Sequence, residues 1–217
     1  MQLKQKKIDF NIISDDNKLL VFNEINNHIL LDEKPSLFLD SISDTEIFKK
    51  YPFSMLYKLK ETDQSPIHHP EGNVWNHTLL VVDQGASQRN KSKDEKVFMW
   101  AALLHDIGKA ETTKNKKGKI TAYNHESVGA DLCVKFLEEF TTDKKMINKV
   151  RGLVRWHMQI LHVVNNMPFA DIKTMTEETD IYEIALLGFC DRMGRTNADG
   201  VKERKNIKIF LEKCRSF

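Results

Sequence analysis

From Val74 onward the apolar positions recur with a helical period. Reading backwards from His105, the face is Phe98, Ala101 and Ala102; from His157 it is Val150, Leu153 and Val154; from Asp191 it is Ile184, Leu187 and Gly188. Reading forwards, His125 is followed on its face by Val128, Gly129 and Leu132, and His77 by Leu80 and Val81. Spacings of three and four residues place these side chains on the stripe that a helix turns toward a core. The pattern predicts helices near 75–88, 93–107, 125–140, 143–162, 179–195 and 200–214. Upstream, residues 16–31 and 36–60 read as shorter helices, with Pro35 suited to a first helical turn. The turn-rich stretch 62–73, "TDQSPIHHPEGN", marks a boundary. It separates an N-terminal helical segment (1–70) from a main body (71–217). A small β-hairpin near 112–123 fits the "KKGK" turn between Thr and Ile. The fold class expected is therefore an all-α helical bundle with at most that one hairpin.

Five of the predicted helices thus aim a His or an Asp along a core stripe, and Asp106 follows His105 directly. One buried histidine is ordinarily satisfied by its neighbours. Five in one bundle are costly, because a buried imidazole or carboxylate must be paired or bound to a metal. If the helices converge, a shared cation satisfies all of them. Histidine nitrogen with carboxylate oxygen, and no thiolate, suits Mn, Fe, Co, Ni, Zn or Mg. A structural zinc finger does not fit that ligand set. A carboxylate can bridge two ions, and the number of ligands leaves room for one ion or two.

Composition adds boundaries. The chain has 217 residues, enough for one good-sized core, with 41% hydrophobic and 29% charged residues. Its net charge of +2 argues neither for nor against a polyanionic partner. Basic residues concentrate at 114–119 and 202–215, as solvated surface or as phosphate attraction near a site. Three cysteines without a CxxC spacing give no disulfide framework, and a reduced, cytoplasmic setting is expected. The N-terminal sequence lacks the apolar run of a signal peptide, and nothing approaches a membrane span.

The ordered set His77, His105–Asp106 and Asp191, with "LLHDIGKA" around the doublet, resembles the HD superfamily of metal-dependent phosphohydrolases. The stretches "HHPEGNVWNHTLLVVD", "YNHESVGA", "LVRWHM" and "CDRMGR" resemble, more closely, the HD domain of bacterial CCA-adding tRNA nucleotidyltransferases. The upstream "KPSLFLDSI" and "KYPFSMLYKLKETDQSPIHHPEG" resemble the helical connector that precedes that domain. The Gly-Ser motif and paired aspartates of the nucleotidyltransferase head are missing, so CCA addition is not carried over.

The resemblance implies roles. His77, His105, Asp106 and Asp191 would bind one divalent metal; Asp106 would bridge to a second, completed by His125 and His157. Activated water would attack phosphorus, which makes Asp106 and Lys109 catalytic. Lys109, Arg192 and Arg195 would bind substrate phosphate, with ion pairing to nearby acids the alternative for the two arginines. Glu126 could orient His125 or a water. His68 and His69 could line the substrate mouth, whereas His28 and His162 read as peripheral and Trp75 and Trp156 as core. The implied substrate is a phosphomonoester or 2′,3′-cyclic phosphodiester of a nucleotide, or an RNA end. Two alternatives stay open: a dinuclear-iron oxygenase on the same ligand set, and a nucleotide-sensing module without turnover.

Overall fold

The computed structural model describes residues 8–217; the first seven residues of the segment expected over 1–70 lie outside the described residues. The chain is an all-α bundle with one two-stranded antiparallel hairpin, β1 (Lys114–Lys116) and β2 (Lys119–Thr121), in which Asn115 faces Ile120. The helices in chain order are α1 (Asp15–Leu31), α2 (Pro35–Ile42), α3 (Ser54–Tyr57), α4 (Val74–Gln88), α5 (Glu95–Leu104) and α6 (Lys109–Thr112). After the hairpin come α7 (His125–Glu138), α8 (Lys144–Trp156), α9 (Gln159–Val164), α10 (Ile172–Glu178), α11 (Ile181–Met193) and α12 (Gly200–Arg215).

Several helices start where a short polar side chain can hold an otherwise orphaned backbone N–H. Asn73 accepts from the Asn76 N–H, Asp94 from Val97, Asp143 from Met146, and Asp180 from Tyr182. The apolar faces then determine the packing. Helix α5 is buried from Val97 through Leu104 and is the hub. It lies against α1, α4, α8 and α11, while α7 packs on α8 and α12 on α11.

The N-terminal helices share this core. Phe22 of α1 stacks between Trp100 of α5, at 4.6 Å, and Phe140, at 4.4 Å. The Trp100 indole N–H donates to Asn26 Oδ1 at 3.1 Å, so the buried ring keeps its polar edge satisfied. Helix α2 is fixed to α4 by Asp83, which accepts from the Ser36 backbone N–H at 3.0 Å and its hydroxyl at 2.7 Å.

Two helix boundaries differ from the periodicity. The helix expected over 93–107 ends at Leu104, and the one expected over 143–162 breaks into α8 and α9. Both ends fall at a histidine whose ring takes over a terminal carbonyl. His105 Nδ1 donates to Ala102 O at 2.8 Å, and His157 Nδ1 donates to Val154 O at 2.7 Å. Such a cap satisfies an acceptor that the ending helix would leave open. Beyond the break, Ile160 of α9 packs so closely on Gly188 that a Cβ there would sit 2.0 Å from its Cδ1. The short α10 formed in a stretch where no helix was predicted.

Candidate metal centre

The helix ends bring six polar residues to one place. His77 lies in the second turn of α4, and His105–Asp106 follow α5. His125 opens α7, His157 follows α8, and Asp191 lies near the end of α11. All six are buried. Gly108 permits the convergence: a Cβ there would lie 2.1 Å from His125 O and 2.6 Å from Gly129 N. Only a residue without a Cβ lets the Asp106 turn approach α7 this closely.

Asp106 is at the centre. Its Oδ2 lies 3.2 Å from His105 Nε2 and 4.0 Å from His77 Nε2. Its Oδ1 lies 3.3 Å from His125 Nε2 and 3.8 Å from His157 Nε2. One carboxylate therefore faces two separate groups of nitrogens, each compact enough to hold an ion. Asp191 Oδ1 joins the first group, 3.0 Å from His77 Nε2.

The ring nitrogens are assigned by their partners. A backbone carbonyl only accepts, so a ring nitrogen bonded to one carries the proton. His105 Nδ1 bonds Ala102 O, His125 Nδ1 bonds Ala122 O at 2.7 Å, and His157 Nδ1 bonds Val154 O. All three carbonyls come from three residues upstream. Each ring therefore turns its Nε2 inward. His125 Nε2 and His157 Nε2 face each other at 3.3 Å, close enough for one cation to join them. His105 Nε2 and Asp106 Oδ1 are buried without a hydrogen-bond partner. The donor set therefore fits divalent metal, and the orphaned atoms are the positive sign of it.

The electrostatics agree. Burial, reinforced by the neighbouring His125 and His105, lowers the His157 pKa to about 3 and keeps the ring neutral. Burial would raise the Asp106 and Asp191 pKa values. Lys109 and His105 outweigh it at Asp106, and His77 and Arg195 outweigh it at Asp191, so both carboxyls stay well below the ordinary range. Burial opposes charge on His77, but Asp191 and Glu71 on its two sides raise its pKa.

The remaining candidates sit around this core. Lys109 Nζ lies 2.7 Å from Asp106 Oδ2 and donates to Gln64 Oε1 at 2.9 Å. Arg192 pairs with Glu203 at 3.3 Å, and Arg195 has no ion pair among the described residues. Both arginines border a cleft of about 350 Å³ over the centre, whose opposite wall includes Gln64, His68 and Thr121. Glu126 Oε2 is 3.6 Å from His125 Nδ1, which already donates to Ala122. The Trp75 and Trp156 rings are buried; His28 stacks on Phe38, and His162 packs near Phe169.

Sequence reasoning missed Glu71. Its Oε1 is 2.9 Å from both His69 Nδ1 and His77 Nδ1, and its side chain is 2% exposed. Burial, with Lys109 and His77 nearby, lowers the His69 pKa to about 3. Gln64, His69 and Glu71 all come from the turn-rich strap before α4, where no periodicity marks a buried residue. The one available signal was the acid six residues before His77.

Residues 74–184 match the HD domain family. The chain belongs to the HD domain family. That family marks a superfamily of metal-dependent phosphohydrolases, and the matched stretch contains His105–Asp106. Among curated relatives, a multifunctional CCA protein of Halorhodospira halophila is 34% identical over 95 residues, covering 44% of this chain and 21% of the relative. The protein of the same name in Aromatoleum aromaticum is 32% identical over 155 residues, covering 68% of this chain and 36% of the relative. That of Dechloromonas aromatica is 26% identical over 182 residues, covering 77% and 41%. This HD chain spans well under half the length of the curated relatives it matches. Among its described residues, no helix is long and apolar enough to cross a membrane.

Proposed function

We propose that this chain hydrolyses phosphomonoesters or 2′,3′-cyclic phosphodiesters of nucleotides or RNA ends with divalent metal. The observation that carries the reading is Asp106, whose two oxygens face two different pairs of imidazole nitrogens. His77, His105, Asp106 and Asp191 would hold one ion, and Asp106, His125 and His157 a second. When bound, such ions supply Lewis acidity and activate water near neutral pH.

The chain's own residues contribute orientation and charge. Three backbone carbonyls and Glu71 hold the Nδ1 side of the four rings and leave each Nε2 directed at the centre. Lys109, steadied by Gln64, offers positive charge where a phosphoryl group would gain negative charge in the transition state. Arg192 and Arg195 border the same cleft and would orient phosphate oxygens. The likeness to proteins named multifunctional CCA protein supports nucleotides or RNA ends as the substrate class.

The test is elemental analysis of the purified protein, followed by hydrolysis of 2′,3′-cyclic AMP and p-nitrophenyl phosphate with the metal found. One or two divalent ions per chain and metal-dependent phosphate release are expected. Bound iron without hydrolysis would overturn the reading in favour of an oxygenase. No metal under any loading condition would overturn it in favour of a sensing module.

A further inference from the structure

The centre opens in two directions. One is the cleft beside Lys109. The other is a cavity of about 220 Å³ between the start of α9, the end of α11 and the start of α12. The two share His157, Asp191, Arg192 and Arg195, so they meet at the candidate ligands. The second cavity also reaches Lys202, which the cleft does not.

Three cations, Arg192, Arg195 and Lys202, line this cavity against two acids, Asp191 and Glu203, and Asp191 is a candidate metal ligand whose carboxylate feels the Arg195 charge. Arg192 is matched by Glu203. Arg195 and Lys202 have no ion pair among the described residues, and Arg195 Nε is buried without a hydrogen-bond partner. The neighbouring amides are already engaged: Asn165 donates to Leu161 O at 2.8 Å and Asn206 to Glu203 Oε2 at 3.0 Å. The guanidinium and the ammonium are thus the free donors. A buried donor without an acceptor is destabilising unless a ligand supplies the acceptor. A guanidinium and an ammonium lining one cavity are groups that recognise phosphate.

We propose that this cavity is a second anion subsite, taking a phosphate one nucleotide away from the phosphate that is cleaved. The preferred substrate then carries two separated phosphates. The inference rests on the hydrolase reading of the centre, since that reading locates the cleaved phosphate beside Lys109. The second phosphate belongs either to a free nucleoside bisphosphate or to the next residue of a nucleic-acid strand; the recognising chemistry is the same.

The experiment is calorimetric titration of metal-free protein with adenosine 3′,5′-bisphosphate, adenosine 3′-monophosphate and adenosine 5′-monophosphate. The bisphosphate is expected to bind at least tenfold tighter than either monophosphate. Lys202→Gln, on the exposed start of α12, and Arg195→Gln should each reduce that preference several-fold, with thermal melts verifying the fold. Equal affinities for the three nucleotides, or a preference intact in both variants, would overturn the subsite. The dinucleotide ApAp separates the sources. Affinity matching the bisphosphate assigns the subsite to a strand end, and affinity no better than a monophosphate assigns it to a free nucleotide. Phosphate release measured separately with manganese keeps the two readings apart. A bisphosphate preference without turnover fails the hydrolase, whereas turnover without the preference fails the subsite.

Discussion

Glu71 Oε1 lies 2.9 Å from His77 Nδ1, on the side of the ring opposite Asp191. The contact falls short of hydrogen-bond angle, and the Glu71 pKa is nonetheless lowered to about 2. Burial works against that value, and His77 and His69 outweigh it. The carboxylate fixes which nitrogen of His77 carries a proton, and so keeps Nε2 for the centre. Outer carboxylates of this kind typically change metal affinity by about 10–100-fold. Glu71→Gln should weaken binding of manganese by about that factor in a calorimetric titration while the circular dichroism spectrum stays unchanged. Undiminished affinity would make Glu71 a packing residue only.

Lys109 is tied to Asp106 and Gln64, yet its proposed work is on the phosphoryl group. Loss of one preorganised donor in such a position costs about 10²–10³ in kcat. Lys109→Met should lower turnover by roughly that factor. Metal content should remain at least as high, because a competing cation has left Asp106 Oδ2. Wild-type turnover in the variant would remove Lys109 from the mechanism; loss of metal together with turnover would make it a structural support instead.

What the sequence revealed and what it hid divide along physical lines. His105, His157 and Asp191 were visible because each continues an apolar stripe of known period with a polar residue. His77 and His125 were visible from the stripes that follow them. The places where helices stop at His105 and His157 were hidden, since a ring donating to a carbonyl three residues back leaves no compositional mark. Glu71 and Gln64 were hidden because a turn-rich strap has no period against which a buried polar residue stands out, and His69 of the same strap was legible only as a residue of the substrate mouth. Lys202 looks like any exposed lysine of α12 until the fold makes it line the same cavity as Asp191.

Gly108 offers a purely steric test. An added Cβ would meet two backbone atoms, His125 O and Gly129 N, and backbone cannot move aside as a flexible side chain can. Overpacking of this kind costs about 1–3 kcal/mol. For a chain of this length each kcal/mol shifts Tm by roughly 2–4 °C. Gly108→Ala should lower Tm accordingly. It should also weaken metal binding, because the Asp106 turn and His125 are pushed apart. An unchanged Tm would mean that the turn and α7 are less closely coupled than their approach indicates.

Asp94 links acid sensitivity to the helix that delivers His105 and Asp106. It accepts the Val97 N–H at 3.3 Å as the N-cap of α5, and its other oxygen accepts from Lys149 of α8 at 2.7 Å. Partial burial pushes its pKa up; the Lys149 ammonium and the Val97 N–H outweigh this and bring it below 3.8. A depressed carboxylate pKa contributes stability that is complete above the ordinary value and disappears as the pH falls through the folded-state value. Loss of an Asp cap costs about 1 kcal/mol. Asp94→Ala should therefore lower stability by about that amount at pH 7. The gap to the wild type should begin to narrow as the pH drops below 3.8 and close once it has passed the lower folded-state value, where the native carboxylate is itself protonated. Denaturant unfolding of both proteins at neutral and acid pH measures it. A gap of the same size at both would show that the cap acts through shape and not through its charge.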